Sequence, residues 1–143
     1  PKAIPEAIIN ISVPATNQGN ISTDLNSTVI VQAIDPGAEL YVADFNGPGP
    51  INFINDSNVS GVIYQYLSLN NNTDDISFSS DGVNFTHTAT ADGDGYDGAI
   101  THIKLELAGT FKPTLDAVIP SFTFEYQTKI KWLFTTFHKP LDK

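Results

Sequence analysis

Residues 121–131 read SFTFEYQTKIK, and their alternation decides the fold class. Phe122, Phe124, Tyr126 and Ile130 fall on one side of an extended chain, while Thr123, Glu125, Gln127, Lys129 and Lys131 fall on the other. Successive side chains of a strand point to opposite faces, so this period predicts a strand with one side buried and one side wet. Residues 100–107, ITHIKLEL, repeat the pattern, with Ile103, Leu105 and Leu107 opposing His102, Lys104 and Glu106. Similar short runs near 6–13, 27–34, 39–45, 61–68, 75–79 and 83–89 are rich in Val, Ile, Thr, Phe and Tyr. No stretch of about eleven residues carries a helical apolar period free of Gly, Pro or Asn.

Turn chemistry separates these runs. Asp35-Pro36-Gly37 offers Pro for a first corner and Gly for a positive φ at the second, and Asp81-Gly82 is a favoured hairpin pair. Gly47-Pro48-Gly49-Pro50 suits neither a helix nor a central strand, and Asn70-Asn71-Asn72 marks a loop. About seven or eight strands at this spacing predict an all-β, immunoglobulin-like two-sheet β-sandwich. That domain spans residues 1–131. The stretch 132–143, WLFTTFHKPLDK, is an apolar C-terminal extension that either packs on the sandwich or meets a neighbouring domain or subunit.

Charge and composition narrow the function. The chain of 143 residues is the size of one domain, contains no cysteine and carries a net charge of −9. Thiol catalysis, disulfides and thiolate metal sites are therefore excluded. No arginine is present, and between Lys2 and Lys104 there is neither lysine nor arginine. Such a surface repels polyanions and excludes nucleic acid as a partner, whereas it attracts divalent cations and favours solubility outside the cell. No apolar run approaches the ~20 residues of a membrane helix, so no membrane insertion is expected. Beginning at Pro1 and lacking methionine, the chain reads as a piece of a longer protein.

The segment ADGDGYDG (91–98) is the densest cluster of potential ligands. Calcium takes about six to eight oxygens, and closely spaced aspartates in a Gly-rich turn can converge on one ion. Asp92, Asp94 and Asp97, joined by Asp74 or Asp75, form the candidate metal set, with calcium an optional cofactor and none required. The loop is not an EF-hand: with Asp92 first, the sixth position is Asp97 and the twelfth is Ile103. The plainer expectation is a turn in which Asp side chains accept backbone N–H groups and Gly supplies positive φ. Tyr41, Tyr64, Tyr66, Tyr96 and Trp132 are candidate stacking platforms for a sugar, against core packing as the plainer role. His87, His102 and His138 lack zinc-site spacing and read as exposed imidazoles. With no HExxH, no GxSxG and no Walker loop, the chain reads as a non-enzyme without catalytic residues.

Two resemblances add to this reading. SFSSDGVNF (77–85) resembles an Asp-box hairpin, in which Ser and Asp brace a turn and an aromatic follows. More broadly, PKAIPEAIINISVPATNQG, TVIVQAIDPGAELYV, GPGPINFI and DDISFSSDGVNFTHTATADGDGYDGAITHIKLELAGTF run through roughly 1–131. Together they resemble a conserved repeat domain of unknown function found in large secreted or surface-anchored bacterial proteins. The order Ala33-Ile34-Asp35-Pro36 and Val83 depart from that family's pattern. The resemblance implies an immunoglobulin-like sandwich, an extracellular or cell-surface location and neighbouring domains in a longer chain. The function expected from all of this is a non-catalytic structural or adhesion module, with a calcium- or carbohydrate-binding module as the alternative.

Overall fold

A computed structural model describes residues 6–55 and 59–131; the extension 132–143, with Trp132 and His138, lies outside the described residues. Among them there is no helix, and nine strands form two antiparallel sheets. The strands are β1 (Ile8–Thr16), β2 (Thr28–Ala33), β3 (Ala38–Tyr41), β4 (Asn52–Asn55), β5 (Val62–Ile63), β6 (Ile76–Ser79), β7 (Tyr96–Asp97), β8 (His102–Gly109) and β9 (Ser121–Ile130).

Each sheet is organised around one long strand. In the five-stranded sheet, β9 pairs along one edge with β1 from Ile8↔Lys129 to Thr16↔Ser121. Its other edge is shared end to end by β3 and β4, and β7 adds to β3. In the four-stranded sheet β8 plays the same part, with β2 on one edge and β6 and β5 sharing the other. Pro14 is tolerated inside β1 because that strand pairs on one side only among the described residues, so no second ladder needs its missing N–H.

The alternation in both long strands matches the burial except at the end of β9, where Lys129 is buried and Ile130, expected inside, is only half-buried. Phe122, Phe124, Tyr126 and Thr128 of β9 are buried, as are Ile103, Leu105 and Leu107 of β8. These seed one core, joined by Leu40, Ile76 and Phe78 from the shorter strands and by Val42 just past β3. Rings concentrate at its centre: Phe122 lies 5.1 Å from Phe53 and 5.3 Å from Phe111, centroid to centroid. Gln32 of β2 donates to the Tyr126 hydroxyl at 3.1 Å, a polar tie from one sheet to the other.

Several expected strands are shorter than their patterns. Residues 39–45 yield only β3, because Asp44 and the Gly47–Pro50 run turn the chain. Residues 61–68 yield only β5; beyond it, Gln65 N–H donates to the Asp75 carboxylate and Leu67 N–H to Asp74, and the one backbone bond, Asp75 N–H to Gln65 C=O, does not extend into a ladder. Residues 83–89 contribute one bridge, Phe78↔His87. The corner at 35–38 closes through Ala38 N–H to Asp35 C=O at 2.9 Å, and Gly37 does not take the positive φ expected of it. Strands β4 and β7 were not expected, and β7 lies within the ADGDGYDG segment.

The Asp-box-like turn is braced as its sequence suggests. Ser79, fully buried, accepts from the N–H groups of Asp81 and Gly82, and the Asp81 carboxylate accepts from those of Val83 and Asn84. At the opposite end, Leu115 and Val118 exchange backbone hydrogen bonds around Asp116 (φ 52°) and Ala117 (φ 63°), a two-residue turn of the primed kind. Two substitutions test this architecture by denaturant titration. Phe122→Ala should cost about 3–5 kcal/mol, since it opens a cavity between the Phe53 and Phe111 rings. Ala117→Gly should raise stability by about 1 kcal/mol by relieving the left-handed backbone.

Candidate functional site

The aspartates of residues 91–98 are bound first to their own loop. Asp92 Oδ1 accepts from Asp94 N–H at 2.8 Å and from Tyr96 N–H at 3.0 Å, and Asp92 N–H closes the loop onto Tyr96 C=O at 2.8 Å. The Tyr96 and Asp94 donors hold the Asp92 carboxyl below the usual carboxylate range. Gly95, at φ 94°, makes the turn, and a Cβ there would lie 2.7 Å from the Tyr41 ring. Gly93, Gly95 and Gly98 also have the spacing of a dinucleotide loop, but that chemistry needs a helix to follow, and here β7 and β8 do.

Asp97 is only 7 % exposed. Its Oδ2 meets His87 Nε2 at 2.9 Å and Thr90 N–H at 2.8 Å, and its Oδ1 accepts from Ala99 N–H at 2.9 Å. Burial works to raise its pKa, but the donors from Thr90, His87 and Ala99 outweigh it and the net shift is downward. His87, expected on the surface as a free imidazole, is instead half-buried as the partner that spans from the 83–89 segment to β7.

Asp94 is 79 % exposed, and its Oδ2 lies 3.6 Å from Lys129 Nζ. Lys129 is the residue that sequence reasoning misplaced. Its register puts it on the wet face of β9, yet it is 7 % exposed. Its ammonium lies 3.3 Å from Glu6 and 4.5 Å above the Tyr96 ring, under the acidic loop. Burial presses its pKa down, but Glu6, Glu39 and Asp94 more than compensate and hold it above the ordinary lysine value. The usable signal was its cross-strand neighbour Glu39, opposite Lys129 in a region otherwise lacking cations.

Asp75 lies elsewhere, holding Gln65 N–H through its carboxylate and Glu106 N–H through its carbonyl. The four residues of the candidate calcium set therefore do not form one cluster. Among the described residues no three His, Asp or Glu side chains gather as metal ligands would. Near Asp75, Asp74 Oδ1 and the Tyr64 hydroxyl are buried without a hydrogen-bond partner. Burial, then Asp74, pushes the Tyr64 phenol pKa up.

The acidic loop walls an open cleft of about 610 Å³ on the outer face of the five-stranded sheet. Tyr41, Tyr96, Gln127 and Lys129 line it, between Asp44–Asn46 on one flank and Glu6 and Asp94 on another. Tyr96 donates to Gln127 at 2.8 Å, and Gln127 donates to Asn10 at 3.2 Å, so the sheet face is tied into one polar row. Across the Asn46–Pro48 ridge a second cleft, of about 300 Å³, is lined by Phe53, Tyr64 and Tyr66. The ridge is fixed by Gly49 N–H to Asp44 at 2.8 Å and by Gly49, whose Cβ would lie 2.8 Å from the Tyr66 ring. The tyrosines expected as platforms are thus split: Tyr96 is buried, while Tyr41, Tyr64 and Tyr66 are half-buried beside clefts.

No protein-family model, curated protein or solved structure matches this chain.

Because the folded-state pKa of Asp97 is depressed, its stabilisation is complete above the unfolded value near ~3.9 and disappears as pH falls through the folded value below it. Asp92 and Asp81 are shifted the same way and share in that acid slope. Asp97→Asn should cost about 1–3 kcal/mol at neutral pH and flatten, without abolishing, the fall in melting temperature below pH ~4. An unchanged acid slope would remove Asp97 as its source.

Proposed function

We propose that this domain is a non-catalytic adhesion module, presenting a surface to a ligand, within a secreted or cell-surface bacterial protein whose other domains are its neighbours. The bacterial origin rests on the family resemblance, and the location on that resemblance and on the acidic composition. The choice of adhesion over a tension-bearing stalk rests on one observation about the chain ends. Glu6 N–H donates to Ile130 C=O and Ile130 N–H to Ala7 C=O, both at 2.9 Å. The described chain therefore enters and leaves at the same end of the same sheet, along neighbouring antiparallel strands.

Tension applied through those ends would separate β1 from β9 one hydrogen-bonded pair at a time. Shear along the strands would instead load the nine register pairs between them together. A stalk under tension gains from the second geometry. A side-mounted module, held at one end and free at the other, suits the first.

Carbohydrate binding is the second reading, favoured by the polar cleft beside Tyr41. For calcium, the remaining carboxylate oxygens of Asp92 and Asp94 are the available donors, and an ion bridging them would compete with Lys129 for Asp94. No cofactor is required by either reading.

Single-molecule pulling tests the attachment geometry, and the lack of native cysteine makes an introduced handle unique. Pulled through its natural ends, the domain should unfold at low force. Pulled between its N-terminus and a handle at Asp116→Cys, it should resist at clearly higher force. Equal resistance in both directions would favour the stalk.

A further inference from the structure

We infer that the cleft beside Tyr41 binds a neutral oligosaccharide, with one pyranose ring against Tyr41 and the chain continuing over Asn46 toward Tyr66. This rests on the reading of the domain as a ligand-presenting module and supplies the ligand's chemical class.

Charge comes first. Glu6, Asp44 and Asp94 put three carboxylates around the cleft against one ammonium, and Lys129 is already shared between Glu6 and Asp94. Phosphate, sulfate and uronate groups would enter a negative field with no cation left to meet them. Hydroxyl groups enter without that penalty.

Hydrogen-bonding capacity comes second. The Tyr41 hydroxyl and the Asn46 carboxamide form no hydrogen bond with any described residue, and both line the cleft. Asp44 spends Oδ1 on Gly49 N–H and keeps Oδ2 as an acceptor. A phenol, a carboxamide and a carboxylate oxygen together offer donors and acceptors to the ring hydroxyls of a sugar.

Shape and rigidity come third. The Tyr41 ring is fixed by close approach to Gly95 and by Tyr96, 5.1 Å away at 59°, so it presents an apolar surface without losing rotamer freedom on binding. Ile8, 60 % exposed, adds a second apolar surface in the same cleft. The volume of about 610 Å³ falls in the range of small-molecule sites. The second cleft shares Asn46 with the first across the Asn46–Pro48 ridge, while its Phe53, opposite the buried Phe124, belongs to the inner side of the sheet, so the two are subsites joined over the ridge.

The test is titration calorimetry of the full chain, with chelator present, against cello-, malto-, manno- and galacto-oligosaccharides of one to four rings, and against oligogalacturonate and chitosan oligomers as charged controls. At least one neutral series should bind, with Kd falling about tenfold or more from one ring to four and reaching below about 1 mM. Tyr41→Ala should raise Kd by about tenfold or more. Asn46→Gly should do the same while keeping the fold, because Asn46 already sits at φ 55°, where glycine is at ease. Near-ultraviolet circular dichroism and melting curves confirm that each variant is folded. The inference is overturned if no neutral series binds at millimolar concentration, if both folded variants bind as the parent does, or if only oligogalacturonate or cationic chitosan oligomers bind. A failed titration alongside low-force unfolding through the natural ends would remove the sugar and leave the side-mounted module standing.

Discussion

Eight of the nine strands belong to pairs that include β8 or β9, and only β7 reaches its sheet through another strand. The strict alternation of these two long strands is therefore the constraint on which the rest depends. Phe122, Phe124 and Tyr126 on one and Ile103, Leu105 and Leu107 on the other form the inner faces. A slip of one residue in either would exchange the buried rings and branched chains for polar or charged side chains such as Thr123, Glu125, Lys104 and Glu106. The two sheets repeat one plan: a long strand with a continuous partner on one edge and two short partners sharing the other. The broken edge in each sheet is where the loops that shape the clefts leave the ladder.

Those broken edges give the acidic composition a structural use. Asp35, Asp44, Asp74, Asp75, Asp81, Asp92 and Asp97 each accept at least one backbone N–H in a turn or at a strand end. The short carboxylates of Asp35, Asp81, Asp92 and Asp97 reach the main chain a few residues on, while Asp44, Asp74 and Asp75 tie together segments farther apart in the chain where a ladder partner is missing. Much of the negative charge thus finishes backbone hydrogen bonding that the short strands leave open. The cleft derives its negative field from the remainder: Glu6, Asp94 and the second oxygen of Asp44.

The long strands were legible because a period of two repeated over eight or more residues has few competing explanations. The short ones were not. Strand β4 begins one residue after the Gly47–Pro50 run, and its four residues show no alternation, with Asn52 and Asn55 at the ends and Phe53 and Ile54 between. Strand β7 is two residues in a run that reads as pure turn. Conversely, 83–89 alternates but is diverted by the Ser79–Asp81 brace, so only His87 meets β6. For the site, the sequence pointed to residues 91–98 but not to what that loop covers. Lys129 is about thirty residues away in the chain, and its burial depends on the loop folding over the sheet face. A local pattern cannot encode a contact made by tertiary closure.

The proximity of Ala7 and Ile130 has a consequence for how such a domain can be passed between genes. Residues 7 and 130, held one strand spacing apart, roughly 4.8 Å, would let the described part of the fold be carried as a cassette. A surface loop of an unrelated host would need to open by little more than that width to accept it. The host's own chain could then continue almost as though nothing had been inserted.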